Sequence, residues 1–168
     1  MSKLYLMRHA KAAWAAPGMR DFDRPLEARG RRDAEAIGQA MQERGLLPEL
    51  TLCSGARRTR ETLEGVARNA DIGRVVYSDA LYNGNPGDYL AGIGEYGEYS
   101  AILVIGHNPM MEDLASALAP RGEQAARAAI ASGFPTAGLA VIALPGGLTD
   151  IAPGIGYLEA FILPGDQR

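Results

Sequence analysis

Two histidines and a group of arginines occupy the positions in this 168-residue chain where side chains could do chemistry. His9 follows Arg8 at the end of one short apolar run, and His107 follows Gly106 at the end of another. A third run ends at Ser54, with Arg57, Arg58 and Arg60 just beyond it. Taken singly, a histidine after a strand is more often a packed or surface residue than a catalyst. Together the set suits phosphoryl transfer, which needs in-line positioning and stabilisation of charge on the equatorial oxygens. Arginine forks match phosphate oxygens. A neutral imidazole is a competent nucleophile at pH 7, and a phosphorylated imidazole is labile enough for water to remove the group in a second step. Such a ring needs one nitrogen held and the other free.

These residues lie far apart in sequence, so a scaffold must bring them together. Short apolar runs alternate with longer amphipathic ones, the pattern of an α/β domain with a mainly parallel sheet. Five or six strands are expected, over Lys3–Arg8, Glu49–Ser54, Val75–Ser78, Ala101–Gly106, Leu139–Leu144 and Tyr157–Leu163, the central four buried on both faces. A helix over Glu27–Arg44 carries Ala34, Ile37, Ala40 and Met41 at helical spacing and stops at Gly45. Further helices are expected over Ala56–Asn69, Pro86–Tyr96 and Asn108–Ala119, the last two with a proline in the first turn. Gly133–Gly138 and Pro145–Gly156 read as loops. In such sheets ligands bind beyond the carboxyl ends of strands, which is where both histidines fall.

Bulk properties set the limits. The length suits one domain over residues 1–168, and 47% hydrophobic with 22% charged residues is ordinary globular composition. No linker, repeat or low-complexity segment interrupts the chain. A net charge of -3 argues against a nucleic-acid partner, which would demand a basic face. Lys3 and Lys11 are the only lysines, so local positive charge is almost all arginine. One cysteine, Cys53, excludes an internal disulfide and fits a reducing compartment. No apolar run approaches the roughly 20 residues of a membrane span, so a soluble, cytoplasmic protein with no membrane partner is expected.

Beyond these readings, the motifs resemble the histidine phosphatase superfamily, which includes phosphoglycerate mutases and the small SixA-type phosphohistidine phosphatases, and the resemblance covers nearly the whole chain. Leu6-Met7-Arg8-His9-Ala10 is similar to the family's Arg-His-Gly signature, with alanine in the third place. That likeness makes His9 the nucleophile and Arg8 a phosphate ligand. Ser54-Gly55-Ala56-Arg57-Arg58-Thr59-Arg60-Glu61-Thr62 resembles the second motif and places phosphate binding on Arg58, with Gly55 where proline is usual. Val104-Ile105-Gly106-His107-Asn108-Pro109 resembles the third, in which His107 bonds the transferring phosphoryl oxygens. Asp23-Arg24-Pro25-Leu26, Phe134-Pro135-Thr136-Ala137 and the lack of a large inserted cap look like the SixA-type branch. That branch implies a three-layer α/β/α, phosphoglycerate mutase-like fold and makes Arg24 a further anion contact. Arg24-Pro25 also reads simply as punctuation before the first helix. Ser54 is a candidate substrate contact or a helix cap. Arg57 is either a partner to Arg58 or a surface charge, and Arg60 belongs to a solvated face.

Many superfamily phosphatases carry an acidic proton donor shortly after the third strand, where this chain reads Leu81-Tyr82-Asn83. Asp79 and Asp88 flank the gap but read as caps or solvated charges. An alkoxide leaving group needs a proton, whereas the imidazole of phosphohistidine leaves more readily, so a missing acid favours phosphoramidates. The expected activity is a metal-independent phosphatase with no cofactor, acting on phosphohistidine borne by a protein. A phosphomonoesterase for a small phosphorylated molecule and a non-catalytic phospho-ligand module are the alternatives, the second opposed by retention of both histidines. Cysteine-based phosphatase chemistry fails on spacing, since the arginine of Cys-x5-Arg falls on Thr59. Two histidines without a carboxylate at ligand spacing do not make a metal hydrolase, and neither dinucleotide nor P-loop glycine patterns occur. Oligomeric state is not legible.

Overall fold

Alternation along the central strands decides the layering. In the computed structural model, which describes residues 1–167, β1 (Ser2–Arg8) sends Leu4 and Leu6 to one face and Tyr5 and Met7 to the other. β2 (Leu50–Ser54) and β4 (Ala101–Gly106) repeat this, with Leu50, Leu52, Ile102 and Val104 on the first face and Cys53, Leu103 and Ile105 on the second. Strands apolar on both sides need helices on both sides.

The second face is covered by α1 (Ala28–Arg44) and α2 (Arg57–Ala67), through Ile37, Met41, Leu63 and Val66. The first is covered by the single turn α3 (Ala80–Asn83), α4 (Pro86–Gly94), α5 (Met110–Leu118) and α6 (Gln124–Ala131), through Leu81, Tyr89, Ile93, Leu114 and Ala126. The result is the expected three-layer α/β/α fold. Gly45 ends α1 in the left-handed region at φ 68°, its N–H donating back to the Met41 and Gln42 carbonyls. Near the other end of α1, a Cβ on Gly30 would overlap the Lys11 carbonyl, so glycine there lets the chain leaving β1 pass against the helix.

The sheet runs β3-β2-β4-β1-β6-β7-β5, with β3 at Arg74–Ser78, β5 at Arg121–Gly122, β6 at Leu139–Leu144 and β7 at Tyr157–Ile162. From β3 to β1 neighbours are parallel; β6 is antiparallel to both β1 and β7, and β5 is parallel to β7. The described residues thus hold seven strands, not five or six, because the two-residue β5 is too short to carry a hydrophobic period. The third strand departs from the expectation of burial on both faces. It is the sheet edge, half-buried, with Tyr77 51% exposed. Pro109 sits at the N-terminal cap position of α5 instead of within its first turn.

Strand order builds the site. β2, β4 and β1 are consecutive, and Arg8 lies in register with Gly106, and Cys53 with Ile105. The residues just beyond those pairs are His9, His107 and Ser54, delivered to one end of the sheet.

Candidate active site

Adjacent parallel strands place the His9 and His107 ring centroids 5.4 Å apart. The His9 backbone is held on both sides. Its N–H donates to the Gly106 carbonyl at 3.0 Å, and its carbonyl, with that of Arg8, accepts from the Ala137 N–H at 3.0 and 3.1 Å. Ala137 is fully buried at φ 62°, a left-handed conformation that costs a non-glycine residue on the order of 1 kcal/mol. The loop Gly133–Gly138 therefore acts as a clamp on the β1 terminus.

The hydrogen bond of the His9 ring fixes its tautomer. Nδ1 lies 2.7 Å from the Ala10 carbonyl, and a carbonyl only accepts, so Nδ1 carries the hydrogen and Nε2 keeps its lone pair. Burial pushes the His9 pKa down to about 4, helped by the positive charges of Arg58, Arg8 and Arg24 and opposed by the Ala10 hydrogen bond. The ring is neutral at pH 7. His107 is pushed down to about 3 by burial first, then by His9 and Arg58. Its Nε2 is 2.8 Å from the Ser54 hydroxyl, while its Nδ1 is buried without a partner.

Two arginines present further unpaired donors. Arg8 donates from Nη1 to the Phe134 carbonyl at 2.9 Å, and its buried Nε has no partner. Arg58, 7% exposed, donates from Nη1 to the Asp21 carbonyl at 2.8 Å and from Nη2 to the Asp21 carboxylate at 3.0 Å, again leaving a buried Nε unpartnered. Arg24 donates to the Ala13 carbonyl at 2.9 Å and to the other Asp21 oxygen at 3.1 Å. The cavity measures about 290 Å³ and is lined by Arg8, His9, Lys11, Ala12, Trp14, Arg24, Arg58, His107, Asn108 and Thr136. Four of these side chains are cationic and none is a carboxylate. Among the described residues, no cluster of histidine, cysteine, aspartate and glutamate is arranged to hold a metal ion.

A profile of the histidine phosphatase superfamily (branch 1) matches residues 4–93, a stretch containing Arg8, His9, Arg24 and Arg58. The chain belongs to that superfamily. A crystal structure from Agrobacterium tumefaciens, provisionally named phosphohistidine phosphatase SixA, superposes with a TM-score of 0.83 at 39% identity, covering 97% of this chain and 98% of that one. A similarly named protein from Nakamurella multipartitia gives 0.79 at 31% identity, over 97% and 96%. An uncharacterized protein of Mycobacterium tuberculosis strain H37Rv is 37% identical over 161 residues, 94% of this chain and 99% of its own. This superfamily member is thus a phosphatase of the SixA type.

The fold brings Arg8, His9, Arg24, Arg58 and His107 to one cavity, as the motifs implied. Ser54 departs from its expected place as a substrate contact. It is fully buried behind His107, and its hydroxyl also accepts from the Ala56 N–H at 3.3 Å, so it supports the ring and the start of α2. Arg57 pairs with Glu61 at 3.2 Å and Arg60 bonds the Gly55 carbonyl at 2.9 Å; neither lines the cavity. Asp88 is consumed by the capping box of α4 with Asn85. Cys53 is buried, and its thiol is pushed up to about 12 by desolvation.

Sequence reasoning passed over Asp21 and Tyr82. The Tyr82 hydroxyl donates to the Asp21 carboxylate at 2.7 Å, its ring stands edge-on to His107 at 5.4 Å, and Arg58 lies 5.8 Å over its face. That hydroxyl first, then Arg24 and Arg58, holds the Asp21 carboxyl down at about 2. Thr62 ties the first two motifs together, accepting from the Ala10 N–H at 3.0 Å and donating to the Arg58 carbonyl at 2.7 Å.

Proposed function

We propose that this SixA-type phosphatase removes the phosphoryl group from phosphohistidine on a protein, without metal or cofactor, through a covalent phosphohistidine at His9. The observation that carries this reading is a neutral His9 with a free Nε2, in one cavity with Arg8, Arg24, Arg58 and His107 and no carboxylate. Arginine and imidazole nitrogens around one cavity suit a phosphoryl group, whose oxygens accept charge-assisted hydrogen bonds.

In the first step the His9 Nε2 lone pair attacks phosphorus and the bond from phosphorus to the substrate imidazole breaks. The electron pair leaves with that nitrogen, which takes a proton from water. Arg8, Arg24 and Arg58 neutralise charge on the phosphoryl oxygens, and His107 donates from Nδ1 when the Ser54 hydroxyl donates to its Nε2. In the second step water attacks phosphorus, the bond to Nε2 breaks with its pair returning to His9, and the water proton passes to solvent.

Preference for a phosphoramidate follows from what stands at the position of the usual acid. The chain reads Leu81-Tyr82-Asn83 there, and the Tyr82 hydroxyl is engaged by Asp21, its pKa raised chiefly by that bond, so it is a poor proton donor. An imidazole leaving group does not depend on one. We read residues 1–168 as one domain working in the cytoplasm. The test is phosphate release in EDTA from a phosphohistidine peptide and from an aryl phosphate. Faster release from the peptide is expected, whereas preference for the aryl ester assigns a small-molecule phosphomonoesterase, and no release from either overturns the phosphatase mechanism.

A further inference from the structure

Trp14 is the only tryptophan of the chain and is 88% exposed at the rim of the His9 cavity. It stands in Ala12-Ala13-Trp14-Ala15-Ala16-Pro17-Gly18-Met19, a run without a charged residue in which residues 14–18 are all exposed. Soluble proteins seldom leave a contiguous apolar surface in water beside a functional site unless another molecule covers it. Tryptophan is also among the residue types most enriched at interface positions that dominate binding.

The segment is held in shape. The Ala13 N–H donates to the Pro25 carbonyl at 2.8 Å, the Ala13 carbonyl accepts from Arg24 Nε at 2.9 Å, and the Met19 N–H donates to the Ala16 carbonyl at 2.9 Å. The Arg24 guanidinium lies 5.8 Å over the indole, so one arginine touches both the phosphoryl cavity and the exposed ring. Ordering before contact lowers the entropy cost of docking.

Charge selects the occupant. Although the whole chain carries -3, the cavity beside Trp14 is lined by Arg8, Lys11, Arg24 and Arg58 with no carboxylate, and of these Lys11 is exposed and Arg24 half-buried next to the indole. A small phosphorylated metabolite would satisfy the inner cations and gain nothing from an apolar loop outside them. We propose that the Ala12–Met19 segment, with Trp14 as its anchor, is the docking surface for the protein that carries the phosphohistidine. That partner presents an apolar side chain ringed by carboxylates next to its phosphorylated residue. This deepens the reading of the chain as a protein phosphohistidine phosphatase and rests on it.

Trp14→Ala tests the proposal with two substrates, an acidic carrier protein phosphorylated on histidine and free phosphohistidine. The variant is expected to lose roughly 10-fold more in kcat/KM on the carrier protein, through KM, than on the free amino acid, where only the contact of Trp14 with Arg24 is lost. Equal losses on both substrates, or no loss on the carrier protein, overturn the docking role while leaving the phosphatase reading intact. Wild type that hydrolyses neither overturns the phosphatase reading and the docking role with it. Sedimentation covers the other occupant: a wild-type dimer that dissociates in Trp14→Ala, with both rates unchanged, assigns the segment to self-association and overturns the proposal.

Discussion

Asp21 holds Arg58 twice, with its backbone carbonyl on Nη1 at 2.8 Å and its carboxylate on Nη2 at 3.0 Å. The same carboxylate accepts from Tyr82 and Arg24, so one aspartate sets the place of two of the three arginines in the cavity. Asp21 is half exposed and does not line the cavity, which makes it a positioning residue.

Asp21→Ala is expected to lower kcat/KM by roughly 10-fold, with Asp21→Asn recovering most of the loss because the amide oxygen still accepts. In an Arg58→Ala background the Asp21→Ala change is expected to add little, since two residues that act as a unit are not additive. Steady-state kinetics of the single and double variants checks this, and full additivity contradicts it.

Ser54 supports His107 from behind, and Ser54→Ala leaves the imidazole Nε2 without its partner at 2.8 Å. The expected result is a kcat reduced by roughly 10-fold, KM little changed, and stability lowered by about 1–3 kcal/mol for an unpaired buried group. Kinetics and urea unfolding measure the two effects separately.

Both histidines stay neutral far into acid. Nitrogen-detected NMR of the free protein is expected to show His9 in the Nδ1–H tautomer, titrating at about 4, with His107 at about 3. Between those values and the ordinary value of about 6.5 the unfolded chain binds more protons than the native one, so stability rises with pH through this window and falls on acidification. Asp21, held at about 2, adds stability that is lost in the same direction at lower pH. A His9 midpoint near its ordinary value contradicts the account.

Dialysis against EDTA and treatment with iodoacetamide are both expected to leave turnover unchanged. No metal-holding cluster occurs among the described residues, and the Cys53 thiol is buried and pushed up to about 12. Assays before and after each treatment check this, and a loss reversed by added metal brings back metal chemistry.

The residues legible in the sequence are those whose position follows from a strand end. Arg8, His9 and His107 stand just after apolar runs, and period-2 burial of Leu4, Tyr5, Leu6 and Met7 makes the first run recognisable as a two-faced strand. Arg58 follows from its place in the second motif. Asp21 and Tyr82 carry no such signal, because their meeting depends on how the Asp21–Asp23 turn and α3 pack across 61 residues of sequence. Ser54 stands out by type, but a hydroxyl that faces substrate and one that supports a histidine look alike in sequence. The helix α6 is likewise hard to read, because the small side chains of Ala125, Ala126, Ala128 and Ala129 give little contrast between its buried and exposed faces.

The central claim is the covalent intermediate at His9. Rapid denaturing quench during turnover of a radiolabelled phosphohistidine peptide is expected to trap label on His9 that survives alkali and is released by acid, with neither label nor turnover in His9→Ala. Wild-type turnover retained in His9→Ala, or label found on another residue, contradicts the mechanism.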